Sequence, residues 1–215
     1  MSGMTTPPPI AAELVEASWK SLLQVLDGTS LEPVFDPELT EVYGDAVVED
    51  GVIKAALLSR CETFRYLLMR VWDPEKPLLV FLMLNPSTAT AREDDPTIRR
   101  CMGFGRRDDY GGIIVANLFA FRSPSPAKMK AAEDPIGPMN ARVLQHVFEY
   151  AMTAGADVIA AWGVHGEFKD QDYGAVQQAE ITGLDVKCLG KTKDGHPRHP
   201  LYLRSDQSVV PLRST

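Results

Sequence analysis

Two short segments hold most of the residues able to do chemistry. The first is Asn85-Pro86-Ser87-Thr88. The Asn85 carboxamide can both donate to and accept from a ligand or water, although a turn before Pro86 needs the same residue type. The Ser87 and Thr88 hydroxyls can hold a phosphate or cap the next turn. No GxSxG elbow surrounds Ser87, so a hydrolase nucleophile is not indicated there. Asp94 and Asp95 are the nearest carboxylates that could act as a general base, and Asp95 before Pro96-Thr97 also has the pattern of a helix cap. The second segment is Gly195-His196-Pro197-Arg198-His199-Pro200-Leu201-Tyr202. Each proline restricts the residue before it to extended backbone, as a recognition loop requires. A two-histidine metal site lacks a third ligand at a recognisable spacing, so no metal and no cofactor is assigned.

The elements that must position these residues follow from hydrophobic pattern. Residues 64–72 and 78–84 predict two strands joined by a turn at Asp73-Pro74-Glu75-Lys76-Pro77, hence a hairpin. The second of them is apolar throughout, which means burial on both faces of a helix-covered sheet. A helix over 96–106 follows, then Gly111-Gly112 and a buried strand over 113–118 that contains Asn117. An amphipathic helix spans 140–153, includes His146 and closes at Gly155. A third buried strand at 157–162 runs into Trp162-Gly163-Val164-His165, and a helix over 173–181 precedes a fourth strand at 184–189. This alternation implies right-handed crossovers and an α/β fold, a three-layer α/β/α sandwich with a mostly parallel central sheet. Ligands of such sheets bind outside the carboxyl ends of the strands, so Asn85, Asn117, Trp162 and His199 are predicted to line one pocket.

The rest of the chain bounds the class of protein. With 45% hydrophobic and 24% charged residues in 215, the chain is compositionally globular. Residues 1–9, rich in Pro and Thr, read as disordered, 10–26 as a helix ended by Asp27-Gly28, and 29–51 as a break-rich linker. The predicted division is an N-terminal extension over 1–60 and an α/β domain over 61–215. The net charge of −7 belongs to the extension, where Lys20, Lys54 and Arg60 face ten acids. The remainder is balanced. Within 186–204, Lys187, Lys191, Lys193, Arg198 and Arg204 outweigh Asp194, a basic rim that permits a phosphate-bearing ligand and is equally compatible with a solvated surface. Cys61, Cys101 and Cys188 form neither a CxxC nor a Cys/His cluster. Reduced buried thiols and the lack of a secretory pattern point to the cytoplasm, and no apolar run is long enough to suggest a membrane partner.

Taken in order, Asn85-Pro86-Ser87-Thr88-Ala89, Asp95-Pro96-Thr97, Asn117-Leu118-Phe119, Asp134-Pro135-Ile136-Gly137, Ala161-Trp162-Gly163 and His199-Pro200 resemble a bacterial and phage family catalogued as domain of unknown function 1643. A more distant resemblance is to the uracil-DNA glycosylase superfamily. Asn85-Pro86 is similar to its first motif, Asn117 with Arg122-Ser123-Pro124 to its base-reading segment, and His199-Pro200-Leu201-Tyr202-Leu203-Arg204 to its closing motif. That resemblance implies that His199 donates to a departing base, Asn117 reads the base edge, Asn85 positions water, and Tyr202 and Leu203 fill the gap left by a flipped nucleotide. Ser87 and Thr88 replace the usual glycine-containing turn, no acid adjoins Asn85, and the cluster-binding cysteines of some branches are missing. The candidate catalytic residues are therefore Asn85, Asp95 and His199. Candidate ligand-binding residues are Pro86, Ser87, Thr88, Asn117, Phe119, Arg122, Trp162, His165, His196 and Tyr202. The implied partner is a nucleic acid or nucleotide. The alternative is a non-catalytic module that binds nucleic acid or protein.

Overall fold

A computed structural model of the chain describes residues 42–213. The stretches at 1–9 and 10–26, and most of the predicted linker, lie outside them. In chain order the elements are β1 (Val42–Glu49), β2 (Val52–Ser59), β3 (Arg65–Val71), β4 (Leu78–Met83), α1 (Pro96–Arg107), β5 (Gly112–Asn117), α2 (Pro126–Lys130), α3 (Asn140–Ala154), β6 (Val158–Ala160), α4 (Gln171–Ile181), β7 (Val186–Cys188) and β8 (Val210–Pro211). All eight strands form one sheet in the order β1-β2-β3-β5-β4-β6-β7-β8.

The sheet corrects the expectation of a mostly parallel one. Only β5-β4, β4-β6 and β6-β7 pair in parallel, whereas β1-β2, β2-β3, β3-β5 and β7-β8 are antiparallel. The parallel centre is the part built by helical crossovers. The antiparallel flank begins with β1 and β2, which turn through Asp50-Gly51 with both φ angles positive, a tight two-residue hairpin connection. That flank also corrects the linker reading where it ran over 42–51. The division predicted at residue 60 falls between two paired strands of one sheet.

The predicted β3-β4 hairpin is corrected as well, because β5 lies between the two strands. Glycine explains how. The Trp72 and Asp73 amides both donate to Gly111 O at 2.8 Å, and Gly111 N donates to Pro77 O at 2.9 Å. The 73–77 turn thus crosses over the start of β5 and does not close a hairpin. A Cβ on Gly111 would lie 1.9 Å from Asp73 O, and one on Gly112 2.5 Å from Arg70 O. Only glycine fits such a crossing.

Strand parity then divides the core. Val80, Leu82, Ile114 and Ala116 pack with Val143, Leu144, Val147 and Phe148 of α3 and Ala175, Val176 and Ala179 of α4. Leu79, Phe81, Ile113 and Val115 pack on the other face with Ile98, Cys101 and Phe104 of α1. Covering both faces of β4 is why it reads as an unbroken apolar run. Cys101 and Cys188 are buried as expected, but Cys61 is exposed. Among the described residues no helix is long and apolar enough to cross a membrane.

Candidate functional site

A cavity of about 590 Å³ opens at the carboxyl ends of the parallel strands. Met83, Leu84, Asn85 and Ser87 reach it from the end of β4, and Thr97 from the first turn of α1. Trp162, Val164 and His165 come from the segment after β6, and Thr192, Arg198, His199, Leu201 and Tyr202 from that after β7. Ser123, Pro124 and Pro126 supply the side that follows β5.

Asn85 is held by its amide nitrogen. Nδ2 donates to Ser123 O at 2.7 Å, Pro86 O at 3.0 Å and Phe121 O at 3.4 Å, while Ser123 N donates to Pro86 O at 2.8 Å. These bonds stitch together the loops after neighbouring strands β4 and β5. They leave Oδ1 as the remaining polar atom of the amide, an acceptor and not a donor.

His199 is oriented by the proline that follows it. Its backbone is extended at φ −72° and ψ 133°, and Pro200 starts a single 3₁₀ turn over Pro200–Tyr202. The Leu201 amide donates to His199 Nδ1 at 3.3 Å. Since Nδ1 accepts, the proton of the neutral ring is on Nε2. Burial lowers the imidazole pKa below its usual value and outweighs the opposing pull of the Asp95 carboxylate. His199 is therefore a neutral Nε2–H donor near pH 7. Tyr202, tilted 47° to it at 5.8 Å, stands exposed at the mouth.

Of the residues singled out from sequence, the structure brings Asn85, Ser87, Trp162, His165, His199 and Tyr202 to this cavity. Others lie elsewhere. Asn117, paired with Met83, is 1% exposed and its Nδ2 has no partner. Phe119 is fully buried against Phe168 at 5.6 Å. Pro86 is buried and Thr88 exposed, and neither lines the cavity. Arg122 turns away, donating to Glu62 O at 3.0 Å. His196 stands 3.7 Å from Glu167 in a small hairpin closed by Lys191 and Pro197, so the second His-Pro segment is folded back and not an open loop. Leu203 is core, leaving Leu201 as the exposed apolar neighbour of Tyr202.

Asp95 caps α1, accepting from Ile98 N at 2.9 Å, and Asp94 pairs with Arg70 at 2.7 Å. Among the described residues no carboxylate lines the cavity. Thr97 and Arg198 were not singled out as site residues. The first was legible as the opening turn of a helix fed by a strand-end loop, since such turns face the same crevice. The second lay in the basic stretch.

A second cavity, about 650 Å³, lies at the amino ends of the strands around Leu79, Tyr110 and Asp157. Its charges are matched: Asp108 with Arg107 at 2.6 Å, Asp157 with Lys187 at 2.7 Å, and Asp206 with Arg204 at 3.0 Å. Burial and Asp157 push the Tyr110 hydroxyl up to about 12. Among the described residues no cluster of three or more His, Cys, Asp or Glu is placed to hold a metal.

Fold and site together define an α/β protein with a mixed eight-stranded sheet and a polar-aromatic cavity at the ends of its parallel strands. The chain belongs to the family described as protein of unknown function (DUF1643), which matches residues 65–201 and so takes in nearly all of the cavity lining. No curated protein and no solved structure matches it.

Proposed function

We propose that the cavity binds a nucleobase or nucleotide and that His199 donates a hydrogen bond to the base. The observation that carries this reading is His199 on the cavity wall with its Nδ1 accepting from the Leu201 amide, which leaves Nε2–H of the neutral ring to donate. Tyr202, exposed at the mouth, offers aromatic surface for a planar ring beside the largely buried Trp162 of the wall, Asn85 Oδ1 offers an acceptor, and about 590 Å³ is ample for a base. Helices on both faces of a sheet with a parallel centre suit the three-layer, uracil-DNA glycosylase-like architecture expected from sequence. The three free cysteines suit the cytoplasm.

The reaction such a donor serves is hydrolysis of an N-glycosidic bond. The C1′–N bond breaks with its electron pair leaving on the base, a donor to the base stabilises the charge that develops, and water adds its oxygen to C1′ while its proton passes to the departed base anion. Asn85 Oδ1 is suited to accept from that water. The lining without a carboxylate favours the second reading, binding without turnover, because no carboxylate stands ready to take the proton of water as it attacks.

One experiment separates the two. The full-length protein is incubated with DNA carrying normal and modified bases, released bases are followed by mass spectrometry, and binding of nucleoside 5′-monophosphates is measured in parallel. Release of a base supports the hydrolytic reading, and binding without release the second. Neither release nor binding would overturn both.

A further inference from the structure

Residues 84–95, between β4 and α1, form neither helix nor strand, yet supply Asn85 and Ser87 at one end and the Asp95 cap at the other. A connection this long without regular structure is uncommon inside a compact domain. What holds this one lies beneath it. β3 carries two arginines inside an otherwise apolar strand, Arg65 at 2% and Arg70 at 0% exposure. Arg70 Nε meets Asp94 Oδ1 at 2.7 Å, its Nη2 donates to Thr90 O at 2.6 Å and its Nη1 to Met69 O at 2.7 Å. Arg65 Nη1 donates to Ala89 O. Ala89 and Ala91 are buried against the sheet. At its start the loop is tied to the one after β5 through Asn85 and Pro86, and at its middle it makes a local turn in which Thr90 N donates to Glu93 O at 3.0 Å and Thr90 Oγ1 accepts from Arg92 N and Glu93 N, so the arginines hold the stretch between Ala89 and Asp94 from below.

We infer that Arg65 and Arg70 are positioning residues for the cavity: they clamp the 84–95 strap from below so that Ser87 and Thr97 face the same space. The alternative, that they serve stability alone, fits their energetics poorly. A buried ion pair is seldom more stabilising than an apolar pair of equal volume. Arg65 has no carboxylate within ion-pairing distance among the described residues, and burial draws its pKa down to about 9 despite Asp95. An apolar side chain there would carry no desolvation cost. What arginine alone supplies is donors to the strap.

The clamp stands whatever the cavity takes, whereas its effect on a ligand rests on the nucleobase reading. The test uses full-length Arg65→Met and Arg70→Met, with Asp94→Asn in case a methionine variant fails to fold. Amide exchange is read by mass spectrometry, and binding with the four nucleoside 5′-monophosphates. Arg65→Met is expected to keep or raise the thermal midpoint while exchange across 84–95 quickens about tenfold, the scale of one lost buried charged hydrogen bond. Affinity for any monophosphate that the wild type binds should weaken by a similar factor. Asp94→Asn keeps an acceptor for Arg70 and should quicken the same amides by less. Unchanged exchange over 84–95 in the folded variants, or acceleration spread evenly over the chain, would overturn the clamp. Faster exchange with undiminished affinity would overturn its positioning role. A wild type that binds no monophosphate fails the nucleobase reading, and the exchange data still decide the clamp.

Discussion

Protonated His199 differs from the neutral form in two ways that a titration reads. The added proton goes to Nδ1 and ejects the Leu201 amide, and it places a charge in a partly buried site. The folded pKa therefore lies below the unfolded value of about 6.5. The unfolded chain binds the proton more readily in that interval, so stability contributed by neutral His199 is present above about pH 6.5 and is lost as pH falls toward the folded pKa. Urea unfolding at pH 7.5 and 5 should show a smaller pH effect in His199→Ala than in the wild type. An identical pH effect would mean that His199 is not held neutral by the fold. At pH 7.5, His199→Ala is expected within about 1 kcal/mol of wild-type stability. If the cavity turns over, the same change lowers turnover by ~10²–10³. His196→Ala, outside the cavity, should do far less, and equal effects would remove His199 from the site. The two histidines look alike in sequence, each beside a proline, and the difference lies in the turns that follow. Asn85 and Asn117 teach the same lesson. Both were legible as polar residues at the ends of buried strands, but Asn117 is still within β5, with the parity of Ile113 and Val115, and is 1% exposed. A polar residue at a strand end reaches the crevice only if the chain has already left the sheet, as it has at Asn85.

At the scale of elements, β3–β7 and the longer helices α1, α3 and α4 were legible to within a few residues because period and caps are local signals, whereas β1, β2, β8 and the short α2 were not read as elements. Strand order was not. The apolar runs of β3 and β4 are compatible with direct pairing, and nothing in them says that β5 enters between. The signal was Gly111-Gly112, which reads as a strand entry but is a backbone crossing. Gly111→Ala should therefore abolish folding or destabilise by roughly 3 kcal/mol, since a backbone carbonyl is a neighbour that cannot give way. Gly166 makes a different demand. Its added Cβ would lie 2.1 Å from Trp162 Cδ1, so Gly166→Ala must push the indole from its place on the cavity wall. The expected outcome is a domain that still unfolds cooperatively, a changed near-ultraviolet tryptophan signal and, if the cavity takes a nucleoside monophosphate as proposed, weaker binding of it. Binding as tight as wild type would show that the indole does not shape the site.

For the whole molecule, charge and composition suggested a boundary near residue 60, whereas β1 and β2, paired through β3 into one sheet, put any such boundary before Val42. The acidic excess lies almost wholly in 1–41, where Lys20 is the only cation, so charge marks that segment and not the strands that follow. Break residues in 29–51 hid β1, because the two-residue turn at Asp50-Gly51 looks like one more interruption of the chain. Truncation distinguishes the two boundaries. Deleting 1–41 removes no described strand and should leave the cooperative transition and the cavity intact. Deleting 1–60 removes β2, whose Ile53, Leu57 and Leu58 are at most 8% exposed, and bares the edge of β3. Those three side chains alone are worth about 5–9 kcal/mol of burial at roughly 1.5–3 each. That is comparable with the whole stability of a domain, about 5–15 kcal/mol. The bared β3 would also present unpaired backbone groups beside apolar residues, an aggregation-prone edge. The shorter chain should therefore lose its cooperative thermal transition or precipitate, while the chain starting at residue 42 melts within a few degrees of the full-length protein. A chain starting at residue 61 that melts cooperatively would instead place the core entirely within β3–β8.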